Sequence, residues 1–490
     1  MDARATNLVI VSNRLPVRIH KTADGWKVDP GDGGLVTAMA PVLRNRGGTW
    51  IGWAGTEWHE EIRTILREST LQVGYQLRPV PLTAEEVQKY YLGFSNEAIW
   101  PLFHDLLDRC DFNPDNRRLY AQVNRKFAQE IAETCRAEDF LWVHDYHLME
   151  VASELASLGA ACRKGFFLHT PFPPLDLFIR LPWKFEFLQH LLQYDVLGFQ
   201  TIRDKRNFLW CVRSLIREKK IQGKGNVSRI QAGSREVTVG SFPISIDFNE
   251  FSRMAGTSEV AEKAWFLHED LPNRKIILGV DRLDYSKGIP HRLKAFRNAL
   301  ARHPDLRGNV TLVQVVVPSR AEIQEYKDLK EEIELLVSEV NGEFTQPGWV
   351  PVHYLYRSLP RTELLAWYRM AEIALVTPLK DGMNLVAKEY CASSIENDGV
   401  LILSEFAGAA AQLYRHALVV NPFDEEGVAD AIWQAFTMAP EERSERMKKM
   451  RRSVRENDIF RWVDTFLKTA ISKELQDFPA EDYRPQVKIE

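Results

Sequence analysis

Short apolar runs rich in β-branched residues alternate along the chain with longer stretches of helical period. A strand buried on both faces reads as a continuous apolar run, so this alternation predicts βα units around parallel sheets. In the first half, strands are predicted at Asn7–Ser12, Thr49–Trp53, Phe140–His144, Gly165–His169 and Val196–Gln200, with helices at Leu148–Leu158 and Phe185–Leu192. A second series follows Ile244-Ser-Ile-Asp-Phe248 and comprises Lys275–Val280, Val310–Val317, Ile373–Thr377, Val400–Ser404 and Ala417–Val420. The stretch Pro440–Leu475 reads as helices. The expected fold class is therefore α/β, with an N-terminal domain over 1–248, a second domain over 249–455, and a helical segment over 456–490 that packs back on the first.

Length agrees with this division, because 490 residues are too many for one ordinary core. The 45% hydrophobic and 27% charged content belongs to a globular chain. A net charge of −4 supplies no global positive field for nucleic acid or an anionic membrane, so any phosphate recognition has to be local. The basic run Lys448-Lys-Met-Arg-Arg452 stands alone and reads as a solvated helix face. Five scattered cysteines form no C-x-x-C pair, which argues against a disulfide framework or zinc site and for a reducing compartment. The first apolar run is too short for a signal-peptide core, and no run reaches membrane-span length. A cytoplasmic address is expected.

In open α/β sheets, ligands bind beyond the carboxyl ends of the strands, and three segments there carry chemistry. Val11-Ser-Asn-Arg14 follows the first strand, and Gly31-Asp-Gly-Gly34-Leu precedes a helix whose N-terminus suits a phosphate. In Asp281-Arg-Leu-Asp-Tyr-Ser-Lys-Gly288, Arg282 and Lys287 leave a strand end within one turn and can face a diphosphate; the competing reading is a surface ion-pair cluster with Asp281 and Asp284. In Asp381-Gly-Met-Asn-Leu-Val-Ala-Lys-Glu389-Tyr, a mostly helical interval would separate the two carboxylates by ~12 Å, too far for a glycosidase pair. The bland alternative makes Asp381 a helix cap and Glu389 a solvated helix residue. His144 and His147, with Asp145 between them, suggest a metal, but their spacing follows a strand and no paired third ligand accompanies them; packed histidines are expected.

Taken together, these segments resemble the trehalose-6-phosphate synthases, retaining glycosyltransferases built as two facing Rossmann-like domains of GT-B type with the active site in the cleft between them. The likeness runs from about Leu8 to about Thr465 and includes Tyr90-Tyr-Leu-Gly-Phe-Ser-Asn-Glu-Ala-Ile-Trp-Pro101, Val143-His-Asp-Tyr-His-Leu148 and Gly165-Phe-Phe-Leu-His-Thr-Pro-Phe-Pro173. It implies that Gly34, Arg282 and Lys287 hold the donor diphosphate. Asp381, with the backbone of Met383, Asn384, Leu385 and Val386, would meet the transferred glucose, and Glu389 the ribose. Arg14 and Arg320 would bind the acceptor phosphate, Tyr91, Trp100 and Asp145 its ring, and His169 would lie beside the anomeric carbon. Leu359 stands where some relatives have an aromatic residue in the base pocket.

The implied reaction moves glucose from a nucleotide diphosphate glucose to glucose 6-phosphate, giving α,α-trehalose 6-phosphate without a cofactor or metal. UDP-glucose is the expected donor, with GDP- and ADP-glucose open. A front-face route is expected, since no carboxylate of these segments is an evident nucleophile. The rivals are a transferase acting on glycerol 3-phosphate, which needs no ring platform, and a non-catalytic sugar-phosphate sensor. No D-x-D-x-T segment is present, so a separate trehalose-phosphate phosphatase is expected downstream, and a homo-oligomer is expected.

Overall fold

The apolar runs fold into two separate sheets. The computed structural model describes residues 7–471 apart from 23–24, 32–33, 57, 224, 273 and 321–322. It divides into two compact units, one reaching to Ile244 and taking up the chain again from Phe460, the other spanning Ser245–Ile459.

In the first unit the strands are β1 (Leu8–Arg14), β2 (Val17–Thr22), β3 (Gly25–Pro30), β4 (Thr49–Trp53), β5 (Gln76–Pro79), β6 (Phe140–His144), β7 (Arg163–Leu168), β8 (Val196–Phe199), β9 (Lys219–Gln222), β10 (Val227–Ala232) and β11 (Arg235–Ser241). Nine of them form one sheet in the order β5-β4-β1-β6-β7-β8-β11-β10-β9, while β2 and β3 pair as a hairpin. Pairing is parallel from β5 to β11 and antiparallel across β11, β10 and β9. Strands β6 and β8 are buried along their whole length, as their apolar runs require. Those antiparallel strands, together with β5 and the hairpin, were not among the predicted elements; β9 and β10 bury at most one face and carry lysine, arginine and glutamine on the other. The predicted helix Leu148–Leu158 is also shorter than expected, a 3-10 turn over Tyr146–Leu148 followed by a helix over Val151–Ser157.

The helix Ile459–Ile471 closes the face of this sheet. Its residues Trp462, Phe466 and Ala470 recur at helical spacing and are buried. The Phe466 ring stacks on Trp142 with centroids 4.2 Å apart, and Trp462 Nε1 donates to the Phe242 carbonyl at 3.1 Å. Glycines in two strands make the room: a Cβ at Gly198 would lie 2.8 Å from the Phe466 ring, and one at Gly165 would lie 3.1 Å from it.

The second unit holds β12 (Lys275–Arg282), β13 (Val310–Val317), β14 (Val352–Tyr356), β15 (Ile373–Val376), β16 (Val400–Ser404) and β17 (Leu418–Val420). All six are parallel in the order β14-β13-β12-β15-β16-β17, the doubly wound arrangement that reverses direction between its first and fourth strands. The reversal in this unit falls between β12 and β15. In the first unit, the parallel strands reverse between β1 and β6.

One expectation for this unit fails. Within the basic run, Lys448, Lys449 and Arg452 are exposed, but Arg451 is buried. Its guanidinium donates to the Cys391 and Ala392 carbonyls at 2.8 and 2.6 Å, satisfying acceptors at the end of the helix Leu385–Ser393. A helix terminus seeking donors therefore drew one cation out of the solvated face.

Candidate functional site

Strand β12 delivers Asp281, Arg282, Leu283 and Asp284 to the carboxyl edge of the second sheet, and only Arg282 among them is exposed. The two aspartates turn inward. Asp281 pairs with the buried Arg292, and Asp284 Oδ2 accepts from Arg320 at 3.3 Å. Burial pushes the Asp281 carboxyl up, opposed by Arg292. The surface ion-pair cluster considered for these residues is thus not what forms, because each carboxylate finds a buried arginine and leaves Arg282 facing out.

Lys287 lies in the turn after β12, with Nζ 2.5 Å from Asp381 Oδ2. Asp381 belongs to the loop after β15, so the two loops flanking the strand reversal meet through this ion pair. Asp381 is not the cap of the next helix. That position is taken by Asn384, in the left-handed region with φ 69°, whose Oδ1 accepts from the Ala387 amide at 3.3 Å. The helix begins only at Leu385, so half of the interval between Asp381 and Glu389 is loop and the simple helical rise does not measure their separation. At the N-terminus of this helix, the amides of Leu385 and Val386 belong to the first turn, where an anion or a polar oxygen is favoured. Met383 is buried, and its carbonyl accepts from the Ala409 amide at 2.7 Å. Glu389 is half-buried rather than solvated, its Oε2 accepting from Tyr368 OH at 2.9 Å, and burial raises its carboxyl. Arg320 has φ 47°, and its guanidinium bonds Tyr326 OH as well as Asp284. Leu359 lies half-exposed between β14 and the helix Arg361–Met370.

In the first unit, Arg14 ends β1 and is exposed. Its guanidinium lies 4.8 Å from the Trp53 ring centroid and 5.5 Å from that of Tyr91, so the charge is held over two π faces. Tyr91 in turn stacks on His147 with centroids 5.8 Å apart. The segment carrying Tyr91, Val87–Ile99, is π-helical, a form that concentrates at functional sites. The short helix Ala84–Glu86 leads into it and opens on a capping box made by Thr83 and Glu86. Tyr90 OH donates to Asn13 Oδ1 at 2.9 Å, fixing this segment to the end of β1. Trp100 is only 6% exposed and packs on His104 and Tyr146, with centroids 4.1 and 5.6 Å away. Gly34 is the first residue of the helix Gly34–Arg46, while Asp32 and Gly33 of its turn lie outside the described residues.

At the end of β6, Asp145 adopts φ 74° and its Oδ1 accepts from the His169 amide at 3.3 Å. His169 Nε2 lies 3.1 Å from His144 Nδ1, a bond that needs one ring to donate and the other to accept. Burial holds both imidazoles down, His169 to about 3. Both are therefore neutral through the physiological range. Unfolded, each would titrate near 6.5, so as pH falls from about 6.5 toward 3 the unfolded chain takes up protons that the native chain does not. Stability is accordingly present above the unfolded value and lost as pH falls. Urea unfolding should show a lower midpoint at pH 5.5 than at pH 7.5, with a smaller difference in His169→Gln. A ring proton of His169 titrating near neutral pH by NMR would contradict this account.

Sequence reasoning singled out Arg14, Tyr91, Asp145 and His169, and the structure gathers them around the reversal of the first sheet. Likewise, Lys287, Asp381 and Glu389 follow the strands flanking the second reversal, with Arg282 at the end of β12. Trp53, Tyr368 and Arg292 were missed. Trp53 lies in a predicted strand, and its position beneath Arg14 depends on β1 and β4 being neighbours.

Residues 6–472 match glycosyltransferase family 20. The trehalose-6-phosphate synthase of Mycolicibacterium smegmatis is 44% identical over 470 residues, covering 94% of this chain and 92% of that protein. Among solved structures, the UDP-forming α,α-trehalose-phosphate synthase of Burkholderia xenovorans in complex with glucose-6-phosphate is similar with a TM-score of 0.85 and 34% identity, over 95% of this chain and 100% of that one. A trehalose-6-phosphate structure from E. coli bound with UDP-2-fluoro glucose has a TM-score of 0.85 and 35% identity, over 95% and 99% of the two chains. Such extended similarity, together with the residues assembled at the two strand reversals, establishes that the chain belongs to glycosyltransferase family 20.

Proposed function

We propose that this enzyme transfers glucose from UDP-glucose to glucose 6-phosphate, forming α,α-trehalose 6-phosphate and UDP with retention at the donor carbon. The observation that carries the reading is the pair of cations Arg282 and Lys287 at the reversal of a doubly wound sheet, beside Asp381 and ahead of Glu389. In this reading Arg282 and Lys287 hold the donor diphosphate with the Gly34 backbone and stabilise the charge that develops as it leaves. Asp381 and the turn Met383–Val386 meet the glucose, and Glu389, oriented by Tyr368, meets the ribose. Arg14 and Arg320 bind the acceptor phosphate, with Tyr91, Trp100 and Asp145 around its ring. His169, neutral and held by His144, packs beside the reacting carbon as a hydrogen-bonding group. The leaving phosphate accepts the acceptor proton on the same face.

The support is threefold: the family membership, relatives named for this synthesis, and structures of relatives holding glucose-6-phosphate or UDP-2-fluoro glucose. Both substrates are sugar phosphates of the cytosol, which is where we place the enzyme; among the described residues, no helix is long and apolar enough to cross a membrane. Removal of the product phosphate would fall to a separate phosphatase.

The test is a product assay crossing UDP-, GDP- and ADP-glucose with glucose 6-phosphate and glycerol 3-phosphate, with and without EDTA. UDP-glucose and glucose 6-phosphate should give a non-reducing disaccharide phosphate and UDP in equal amounts, unchanged by chelation, because protein cations neutralise the diphosphate. Glucosylglycerol phosphate as the main product would overturn the acceptor reading. Loss of turnover in EDTA, restored by magnesium, would overturn the account of the leaving group.

A further inference from the structure

Beneath the strand reversal of the second unit lies a residue that the roles above leave unused. Arg292, in the helix Ile289–Arg302, has its side chain wholly buried. Its guanidinium reaches four places in the chain: it pairs with Asp281 on β12, donates to Gln314 Oε1 on β13 at 3.0 Å, to Thr377 Oγ1 just past β15 at 3.0 Å, and to the Lys287 carbonyl at 3.4 Å. Two of these partners are the roots of the loops bearing the proposed donor-binding groups. Thr377 starts the loop that carries Asp381, and Lys287 is itself the cation that faces Asp381. Above Arg292 the loops are joined once more, the Leu379 amide donating to the Ser286 carbonyl at 2.8 Å.

A buried guanidinium with its donors committed in a fixed fork sets distances between its partners, because each bond it loses leaves a buried polar group unpaired. We propose that Arg292 is a positioning residue for glucose transfer: it fixes the loop after β12 against the loop after β15, so that Lys287 and Asp381 are presented to the donor at one spacing. The inference rests on the donor-site reading of those two residues. Gly279 belongs to the same device. A Cβ there would lie 2.7 Å from Arg292 Nη1 and 2.5 Å from Gln314 Oε1, so the guanidinium occupies its place only because β12 has no side chain at that point.

Two variants test this, with Lys287→Ala as a reference. Arg292→Lys keeps the charge and loses the fork, while Gly279→Ala keeps every charge and pushes the fork aside. Misplacement of reacting groups by about 1 Å costs on the order of a hundredfold, so each folded variant should lose about tenfold or more in kcat. UDP binding, read by titration calorimetry, should weaken by about threefold or more while KM for glucose 6-phosphate stays within about twofold. Wild-type kcat and UDP affinity in a folded variant would overturn the proposal, as would a uniform loss of kcat, both KM values and thermal midpoint, which marks a structural residue only. Failure of both variants to fold would overturn it on the same ground. Near-normal turnover of Lys287→Ala would instead remove the donor-site reading itself.

Discussion

Replacing Arg282 or Lys287 with alanine should lower kcat by about 10²–10³, on the order of 3 kcal/mol of lost transition-state stabilisation for an electrostatic group at a developing charge. The two losses have different side effects. Arg282 stands exposed at the end of β12, so its removal should leave the thermal midpoint near that of the wild type. Lys287 lies 2.5 Å from Asp381 in a site where both side chains are largely covered, so its removal also takes a cation from a carboxylate. That variant should show a modest loss of stability beside the loss of rate, and Lys287→Ala/Asp381→Asn should recover stability without recovering turnover. Steady-state kinetics with saturating glucose 6-phosphate, together with thermal unfolding, decides the matter. Turnover within threefold of wild type in both single variants would mean that the leaving diphosphate is stabilised elsewhere.

The placement of those cations was legible because it depends on short-range features. A buried parallel strand announces itself as an apolar run, and the polar residues directly after it must lie at the carboxyl edge. Hence Arg14 and Arg282 could be assigned to strand ends, and Asp381 to the loop after a strand, before their neighbours were known. What could not be read was each residue's partner. Asp281 and Asp284 are indistinguishable from surface acids in sequence, yet Arg292 and Arg320 bury both, and the choice is made by which helix and loop pack under β12. Arg451 shows the same limit in reverse, a cation in a basic run that tertiary packing commits to the carbonyl end of another helix. The antiparallel strands β9 and β10 escaped because β9 buries no residue fully and β10 only Ser228 and Ile230, so no continuous apolar run marks them. The π-helical geometry around Tyr91 has no counterpart in apolar period. It stacks Tyr91 on His147 while the Tyr90 hydroxyl reaches Asn13 and its ring meets His147 edge-on, so two consecutive tyrosines make different contacts.

The proposed acceptor site yields a second large effect, and the structure changes which residue tests it best. Trp100 is a poor probe despite the aromatic role proposed for it, because its ring is buried against His104 and Tyr146 and its truncation should cost about 3–5 kcal/mol of stability. Arg320 is compromised in another way, since its loss strips a buried Asp284 of a cation. Arg14 is exposed and held over Trp53 and Tyr91, so Arg14→Ala removes a phosphate-binding group at little cost to the fold. A charged hydrogen bond is worth about 1.5–3 kcal/mol, which predicts a rise in KM for glucose 6-phosphate of roughly 10- to 100-fold. Free glucose, lacking the phosphate, should be a very poor acceptor for the wild type and should lose little more in Arg14→Ala. Tyr91→Ala should separate ring from phosphate, harming glucose 6-phosphate more than any residual reaction with glycerol 3-phosphate, because only the hexose presents a ring face to an aromatic platform. Kinetics of the wild type and both variants with the three acceptors at saturating UDP-glucose give the comparison. A wild type that prefers glycerol 3-phosphate, or an Arg14→Ala variant whose KM for glucose 6-phosphate is unchanged, would show that the aromatic and arginine cluster at the end of β1 binds something other than the hexose phosphate.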